Sequence, residues 1–440
     1  MWIKGPDMTE VLKNSWALLL GVMLLMVGNG LQGSLLGVRG GDAGFSAFSM
    51  SIVMSGYFAG FLLASRLTPG MIRRVGHVRV FAALGSFISA VLILYPAFPH
   101  PIVWTIERMI IGFCYCGVYV TAESWLNNAS SNENRGQALS AYMIVQMVGI
   151  IAAQGMLLIP DSSGFLLFVI PSVLVSIAFA PILLSISPTP AFDTTRPMSL
   201  LELFHVSPLG MVGMFLLGGV FASQFGMAAV YGSEAGLSLA QISTFVAAFY
   251  VGALVTQYPL GWLSDRMDRR VLVMVVALVG GVAAALAVTL SGHFTVLLAA
   301  AFLIGGASNP LYSILIAHTN DFLGTDRMAA ASAGLLFING LGAIAGPLIS
   351  GYAMQTMGPG GFFMLISALM LGLTGYAGWR MTRRAAPQAD DIGAFAAVAP
   401  TGSMVAVEVA QEAVIDAQEA AEAEMIEAAR AEAEAEDRLR

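Results

Sequence analysis

Apolar residues in this chain come in blocks of about 20 separated by short polar stretches, the length a helix needs to cross a ~30 Å hydrocarbon layer at ~1.5 Å per residue. The blocks predict twelve spanning helices, at 16–38, 45–67, 78–97, 101–124, 136–158, 164–186, 207–231, 238–262, 271–291, 294–317, 328–352 and 360–381. The first, Trp16–Val38, is too long for the apolar core of a secretory signal and no small-residue cleavage site follows it. It is expected to be an uncleaved signal anchor. The longest polar gap, Ser187–His205 with Pro188, Pro190 and Pro197, divides the spans six and six. The predicted organisation is a six-helix bundle over 1–186, a linker over 187–206, a second bundle over 207–385 and a tail over 386–440.

Composition agrees: 57% of residues are hydrophobic and 11% charged, against roughly 25% charged in a soluble domain. The net charge of −7 has to be divided. Residues 390–440 hold 13 acids and 3 Arg, leaving 14 acids and 17 bases in the rest. Of those 17 bases, 15 fall on the side shared by the chain ends, Lys4, Arg66, Arg73, Arg79, Arg196, Arg327 and Arg384 among them. Arg39 falls on the other side and Arg108 inside a span. Loops rich in Lys and Arg stay inside, so both termini are expected in the cytoplasm. The Ala/Glu-rich tail has good helix formers but few large apolar residues, and is expected to be a solvated helix, disordered, or a docking segment for a cytoplasmic partner.

The halves repeat at an offset of 192–193 residues: Tyr57-Phe58-Ala59-Gly60 aligns with Phe249-Tyr250-Val251-Gly252, Arg74 with Arg266, Arg135 with Arg327, and Gly149 with Gly342. Parallel repeats let two bundles rock about a site between them. Gly33-x-x-x-Gly37, Gly56-x-x-x-Gly60 and Gly342-x-x-x-Gly346 are expected to bring helices close within a monomer. Cys114 and Cys116 suit packing, with no metal-ligand set nearby. No Gly-x-x-x-x-Gly-Lys run is present, and no catalytic constellation recurs, so neither an enzyme nor a cofactor is expected.

A charge at membrane depth costs at least ~2.5–3.5 kcal/mol and normally faces a cavity or partner. At about 100° per residue, Arg108, Gly112, Tyr115, Tyr119 and Glu123 fall on one stripe of the fourth span. Arg108 is therefore a candidate binding residue, with snorkelling or pairing to Glu107 as the alternative. Glu107 and Glu123 are candidate coupling carboxylates.

The loop Gly261-Trp262-Leu263-Ser264-Asp265-Arg266-Met267-Asp268-Arg269-Arg270 resembles the Gly-x-x-x-Asp-Arg-x-Gly-Arg-Arg loop of the major facilitator superfamily, with Asp268 in place of the inner Gly. Arg108-Met109-Ile110-Ile111-Gly112 resembles its Arg-x-x-x-Gly element. Val120-Thr121-Ala122-Glu123-Ser124 and the run Asn134-Arg135-Gly136-Gln137-Ala138-Leu139 are similar to the YcaD-like bacterial transporters. The resemblance implies an all-α membrane protein of two pseudo-symmetric six-helix bundles, in a bacterial inner membrane.

It also implies a cavity lined by spans 1, 4, 7 and 10, hence by Asn29, Gln32, Arg108, Tyr115, Tyr119, Gln224, Tyr231, Asn309 and Tyr312, flanked by Gln146, Tyr250 and Asn339. Arg74, Arg135, Asp265, Arg266, Arg269 and Arg270 would form a cytoplasmic gate. Asp265 would meet the start of span 5, while Arg73 at the matching position would repel that of span 11. The Gly-Pro element of drug antiporters is missing from span 5, where Gly149-Ile150-Ile151-Ala152-Ala153-Gln154-Gly155 stands. The expected function is secondary or facilitative transport of a small polar or anionic organic solute by alternating access. Proton-antiport export of drugs or metabolites and non-transporting solute sensing are the alternatives. The expected partners are the solute, protons as candidate coupling ion and membrane lipids, with no nucleic acid and no metal.

Overall fold

The computed structural model describes residues 8–130, 134–161, 164–184, 198–383 and 395–416. Lys4, linker residues 187–197 with Arg196, Arg384 and tail residues 417–440 lie outside the described residues. The first half contributes α1 (Met8–Asp42), α2 (Ala47–Val75), α3 (His77–Leu94), α4 (Pro101–Ala129), α5 (Arg135–Met156) and α6 (Leu166–Leu184). After a short helix α7 (Leu200–Val206) come α8 (Pro208–Glu234), α9 (Leu239–Ser264), α10 (Arg269–Thr289), α11 (Phe294–Asn320), α12 (Thr325–Met357) and α13 (Gly361–Met381). A last helix, α14, spans 404–416.

Eleven of the described helices are long and apolar enough to cross a membrane, and α6 is a shorter apolar twelfth. Large apolar side chains such as Leu63, Val255, Leu286 and Tyr352 are exposed on the flanks, as lipid-facing surface requires and water-facing surface does not. We call the face where α1 starts and α13 ends the near face, and the opposite one the far face.

Glycine crossings explain the internal repeat. A Cβ at Gly60 would stand 1.9 Å from the Met109 carbonyl oxygen, and one at Gly112 1.9 Å from that of Tyr57, so α2 and α4 touch backbone to backbone. In the second half, Gly252 meets the Phe302 carbonyl and Gly305 that of Phe249, each at 2.0 Å from an added Cβ, where α9 crosses α11. These four pairs are related by the sequence offset. Gly149 on Met23 and Gly342 on Phe215 do the same for α1–α5 and α8–α12. Such approach supplies the van der Waals contact that holds helices together where no hydrophobic drive operates.

The halves meet along the far face. Gly37 and Gly41 of α1 lie against Ala229 and Ser233 of α8. Ser55 of α2 donates to the Ile344 carbonyl of α12 at 3.0 Å, and Ser243 of α9 to the Gln154 carbonyl of α5 at 2.5 Å. Towards the near face α5 and α9 diverge around a cavity of about 450 Å³ lined by Met143, Ile144, Met147, Leu254, Tyr258 and Trp262.

The tail does not behave as a solvated extension over its described part. Residues 395–399 run in along α9 and α11, turn where the Gly402 N–H donates to the Ala399 carbonyl at 2.8 Å, and return as α14. Val398, Ala399, Ser403, Val407 and Ala410 are all buried.

Candidate functional site

The α2–α4 crossing brings Tyr57 under Arg108, whose guanidinium carbon sits 4.9 Å from the ring centroid. Both are buried. Arg108 Nη1 donates to Gln32 Oε1 at 2.7 Å, Gln32 Nε2 to Asn29 Oδ1 at 3.0 Å, and Asn29 Nδ2 to the hydroxyls of Tyr119 at 2.9 Å and Tyr57 at 3.2 Å. Three helices, α1, α2 and α4, are thus joined by one relay of donors and acceptors that starts on a cation. Arg108 Nη2 rests on the Met54 sulfur at 3.4 Å, while Nε is buried with no hydrogen-bond partner. Among the described residues, no carboxylate forms an ion pair with Arg108.

An uncompensated buried guanidinium is costly, and a ligand oxygen would offset that cost. Glu107, one residue earlier, does not supply it: consecutive helical residues face apart, and Glu107 Oε2 is itself buried without a hydrogen-bond partner.

The second half offers uncharged groups. Asn309, Tyr312 and Ser313 share one face of α11 at about 100° per residue. Ser313 binds Val398 through both its backbone groups, at 2.9 and 3.0 Å, so this face looks into the space the tail occupies. Asn309 Oδ1, the Tyr312 hydroxyl, the Ser223 hydroxyl of α8 and Gln146 Nε2 of α5 are buried with no hydrogen-bond partner. Tyr250 is buried as well.

Other expected cavity residues act between helices. Gln224 bonds Ser308 at 3.0 Å, tying α8 to α11. Asn339 donates to the Met214 carbonyl at 3.0 Å, tying α12 to α8, and Tyr115 to the Leu25 carbonyl at 3.1 Å, tying α4 to α1. Tyr231 is held in an aromatic cluster, 5.2 Å from Phe362 and 5.0 Å from Phe363.

Glu123 ends the α4 stripe towards the near face. It accepts from the Tyr142 hydroxyl at 3.0 Å, from the Ser403 N–H at 3.1 Å and from the Ser403 hydroxyl. Between Arg108 and this carboxylate lies an aromatic layer, with Tyr57 stacked on Phe61 at 6.2 Å and set 5.4 Å from Phe225. A cavity of about 40 Å³ beneath it is lined by Tyr57, Phe61, Phe221, Asn339, Pro400 and Thr401, room for about one water.

At the near face the residues expected to form a gate have these partners. Arg135 pairs with Asp416 at 2.7 Å and Glu412 at 3.2 Å. Asp265 accepts from the Phe395 N–H at 2.7 Å and faces Arg269 at 3.5 Å. Arg269 is buried on Asp321 and Ser264. Arg266 stacks on Trp262 at 4.2 Å, Arg270 holds Asp268 at 2.7 Å, and Arg74 is exposed. Asp268 explains the departure from the inner Gly of the loop motif: it caps α10 by accepting from the Arg270 N–H at 2.9 Å. Burial alone would raise the Asp268 carboxyl, but bonds from the Arg270 side chain and backbone outweigh it and hold the group below the usual carboxylate range.

Tyr57 and Ser403 are among the contacts that sequence reasoning missed, with Ser223 and Ser313. Tyr57 stood in the repeat, between two glycines that pull its backbone onto α4; read together, those positions locate it.

Two stretches of the chain, 18–246 and 210–414, match the family model described as Major Facilitator Superfamily. The uncharacterized MFS-type transporter YcaD of Escherichia coli is 28% identical over 368 residues, covering 80% of this chain and 92% of the relative. That of Salmonella arizonae is 26% identical over 357 residues, with the same shares covered. Among solved structures, a point mutant of the nucleoside transporter NupG superposes with a TM-score of 0.71 at 15% identity, over 83% of this chain and 99% of that one. A bacterial homologue of the lysosomal transporter Spinster, inward-facing and occupied, gives 0.65 at 16% identity over 94% and 98%.

Proposed function

The chain belongs to the major facilitator superfamily, and we propose that it moves a small anionic or polar organic solute by alternating access, with Arg108 as the group that receives the solute's charge. Arg108 carries this reading: it is buried within a span, held in place by Gln32 and Tyr57, and has no carboxylate partner among the described residues. The unpartnered atoms of Asn309, Tyr312, Ser223 and Gln146 supply neutral hydrogen bonds from the other elements. Binding of this kind orients a polar solute without requiring a second charge.

The Lys/Arg bias supports a near face turned to the cytoplasm of a bacterial inner membrane. The far-face contacts between halves then describe a state shut to the outside. Glu107 and Glu123 are the candidate sites for proton coupling. Uptake and efflux in proteoliposomes, with carboxylates, phosphorylated solutes and neutral polar solutes offered with and without a pH gradient, test the reading. Saturable, Arg108-dependent movement of an anion supports it; movement of lipophilic cations alone rejects it.

A second reading is export of amphipathic compounds. The apolar cavity between α5 and α9 favours it, because Ile144 and Tyr258 expose that cavity on the flank of the bundle, open to lipid. Dye-efflux activity that survives Arg108→Ala and falls on Met147→Trp would favour this second reading over the first.

A further inference from the structure

Residues 395–416 lie between the two halves at the near face and hold both. On the second-half side Asp265 accepts the Phe395 N–H and Ser313 exchanges two hydrogen bonds with Val398. On the first-half side Glu123 takes the Ser403 N–H and hydroxyl at the start of α14, and Arg135 takes Glu412 and Asp416 near its end. A carboxylate at a helix N-terminus is the favourable polarity, and here it fixes the direction in which α14 leaves the bundle. Gln411 then returns to the second half, donating to Ser332 on α12 at 2.6 Å.

Small side chains make the fit possible. Ala399, Gly402, Ala406 and Ala410 are buried, so the segment runs between helices where larger residues would not pass. Its turn at Pro400 and Thr401 reaches the floor of the Tyr57–Phe61 layer, leaving about 40 Å³ there.

We propose that residues 395–416 are a built-in plug that blocks the near-face path to the site and prevents the halves from closing on that face. The proposal rests on the alternating-access reading above. Two observations carry it beyond mere proximity. The segment fills the space into which the halves must move to close the near face, and it occupies Arg135 and Asp265, the residues whose mutual approach the superfamily resemblance implies for the closed near face. Opening at the far face therefore requires the segment to leave. The chain holds itself in one access state until it does.

The test reads conformation and needs no solute. Spin labels are placed through Asp42→Cys and Glu234→Cys, at the far-face ends of α1 and α8, with Cys114 and Cys116 buried and unlabelled. The unaltered tail should give one short distance distribution. A chain ending at residue 394 should gain a longer-distance population by about tenfold. Val407→Glu, which keeps the full chain but places a carboxylate where the side chain is 2% exposed, should shift the same way. If the shortened chain, or Val407→Glu where the shortened chain does not purify folded, keeps the unaltered distribution, the plug is overturned. Because no transport is measured, a failure here is separate from a failure to find an anionic solute.

Discussion

Arg108 donates to Gln32 at 2.7 Å while resting over the Tyr57 ring, and its Nε, buried beside them, donates to nothing. The guanidinium is therefore oriented by three helices yet left one donor short. Arg108→Ala should insert and purify at near-normal yield, since removing an uncompensated buried charge relieves a desolvation cost. Transport of an anionic solute should fall at least about a hundredfold, the loss of a charged hydrogen bond of ~1.5–3 kcal/mol together with its positioning. Arg108→Lys should restore little, because an ammonium neither stacks flat on Tyr57 nor spans two acceptors. Proteoliposome uptake read alongside size-exclusion profiles separates the site effect from misfolding.

The glycine crossings make a prediction about stability alone. An added Cβ at Gly60 or Gly252 would stand 1.9 or 2.0 Å from a carbonyl oxygen of the neighbouring helix, and backbone cannot rotate away as a side chain can. Gly60→Ala and Gly252→Ala should each destabilise by about 2 kcal/mol or more, in the range of overpacking. Gly372→Ala, with nothing within 4 Å of the new atom, should be neutral or slightly stabilising. Thermal unfolding in detergent checks all three, and equal midpoints would show that the helices do not touch as described.

Asp268 gives a pH-dependent test outside the spans. Its carboxyl is held below the usual range by Arg270 despite burial that opposes this. A group with a depressed folded pKa contributes stability that is fully present above its unfolded value, ~3.9, and is lost as pH falls through the folded one. Asp268→Asn keeps a good N-cap and removes the charge. It should lower the unfolding midpoint at pH 7, and the difference from the unaltered chain should shrink as pH falls below the unfolded value and vanish once it is below the folded one. Asp268→Ala should retain a deficit of ~1 kcal/mol there, because the cap is lost as well.

The architecture was legible in the sequence because its cause is a length: apolar blocks of membrane thickness, repeated six and six. The burial of Arg108 within a span was legible because a charge in such a block has few innocent explanations. Tyr57 was not, since an aromatic residue in a span is ordinarily packing, and its role arises only where two backbones cross. Tyr231 shows the converse: a hydroxyl that invites a cavity role stands in a cluster with Phe362 and Phe363. Residues 395–416 were least legible. Their Ala, Val and Gly read as too small to build a core, yet small size is what lets them enter the bundle, and their partners Glu123, Ser313 and Ser332 lie some 80 to 280 positions away.

Asp265 has two partners to choose between, and this yields the most discriminating experiment. Here its carboxylate accepts from the Phe395 N–H and anchors the incoming end of the tail segment. With the near face shut, the same carboxylate is expected at the start of α5, beside Arg135 and the positive end of a helix, an interaction of ~0.3–2 kcal/mol. Asp265→Asn weakens either contact, since a charged acceptor exceeds a neutral one by about 1 kcal/mol, or about fivefold in a population ratio. In the full chain the substitution loosens the plug and should increase the far-face-open population seen by labels at 42 and 234. In a chain ending at residue 394 only the gate contact remains, so the same substitution should decrease that population. The sign of the effect should thus invert with the tail. An increase in the full chain with no change in the shortened one would leave Asp265 a tail anchor only, and a decrease in both would leave it a gate only.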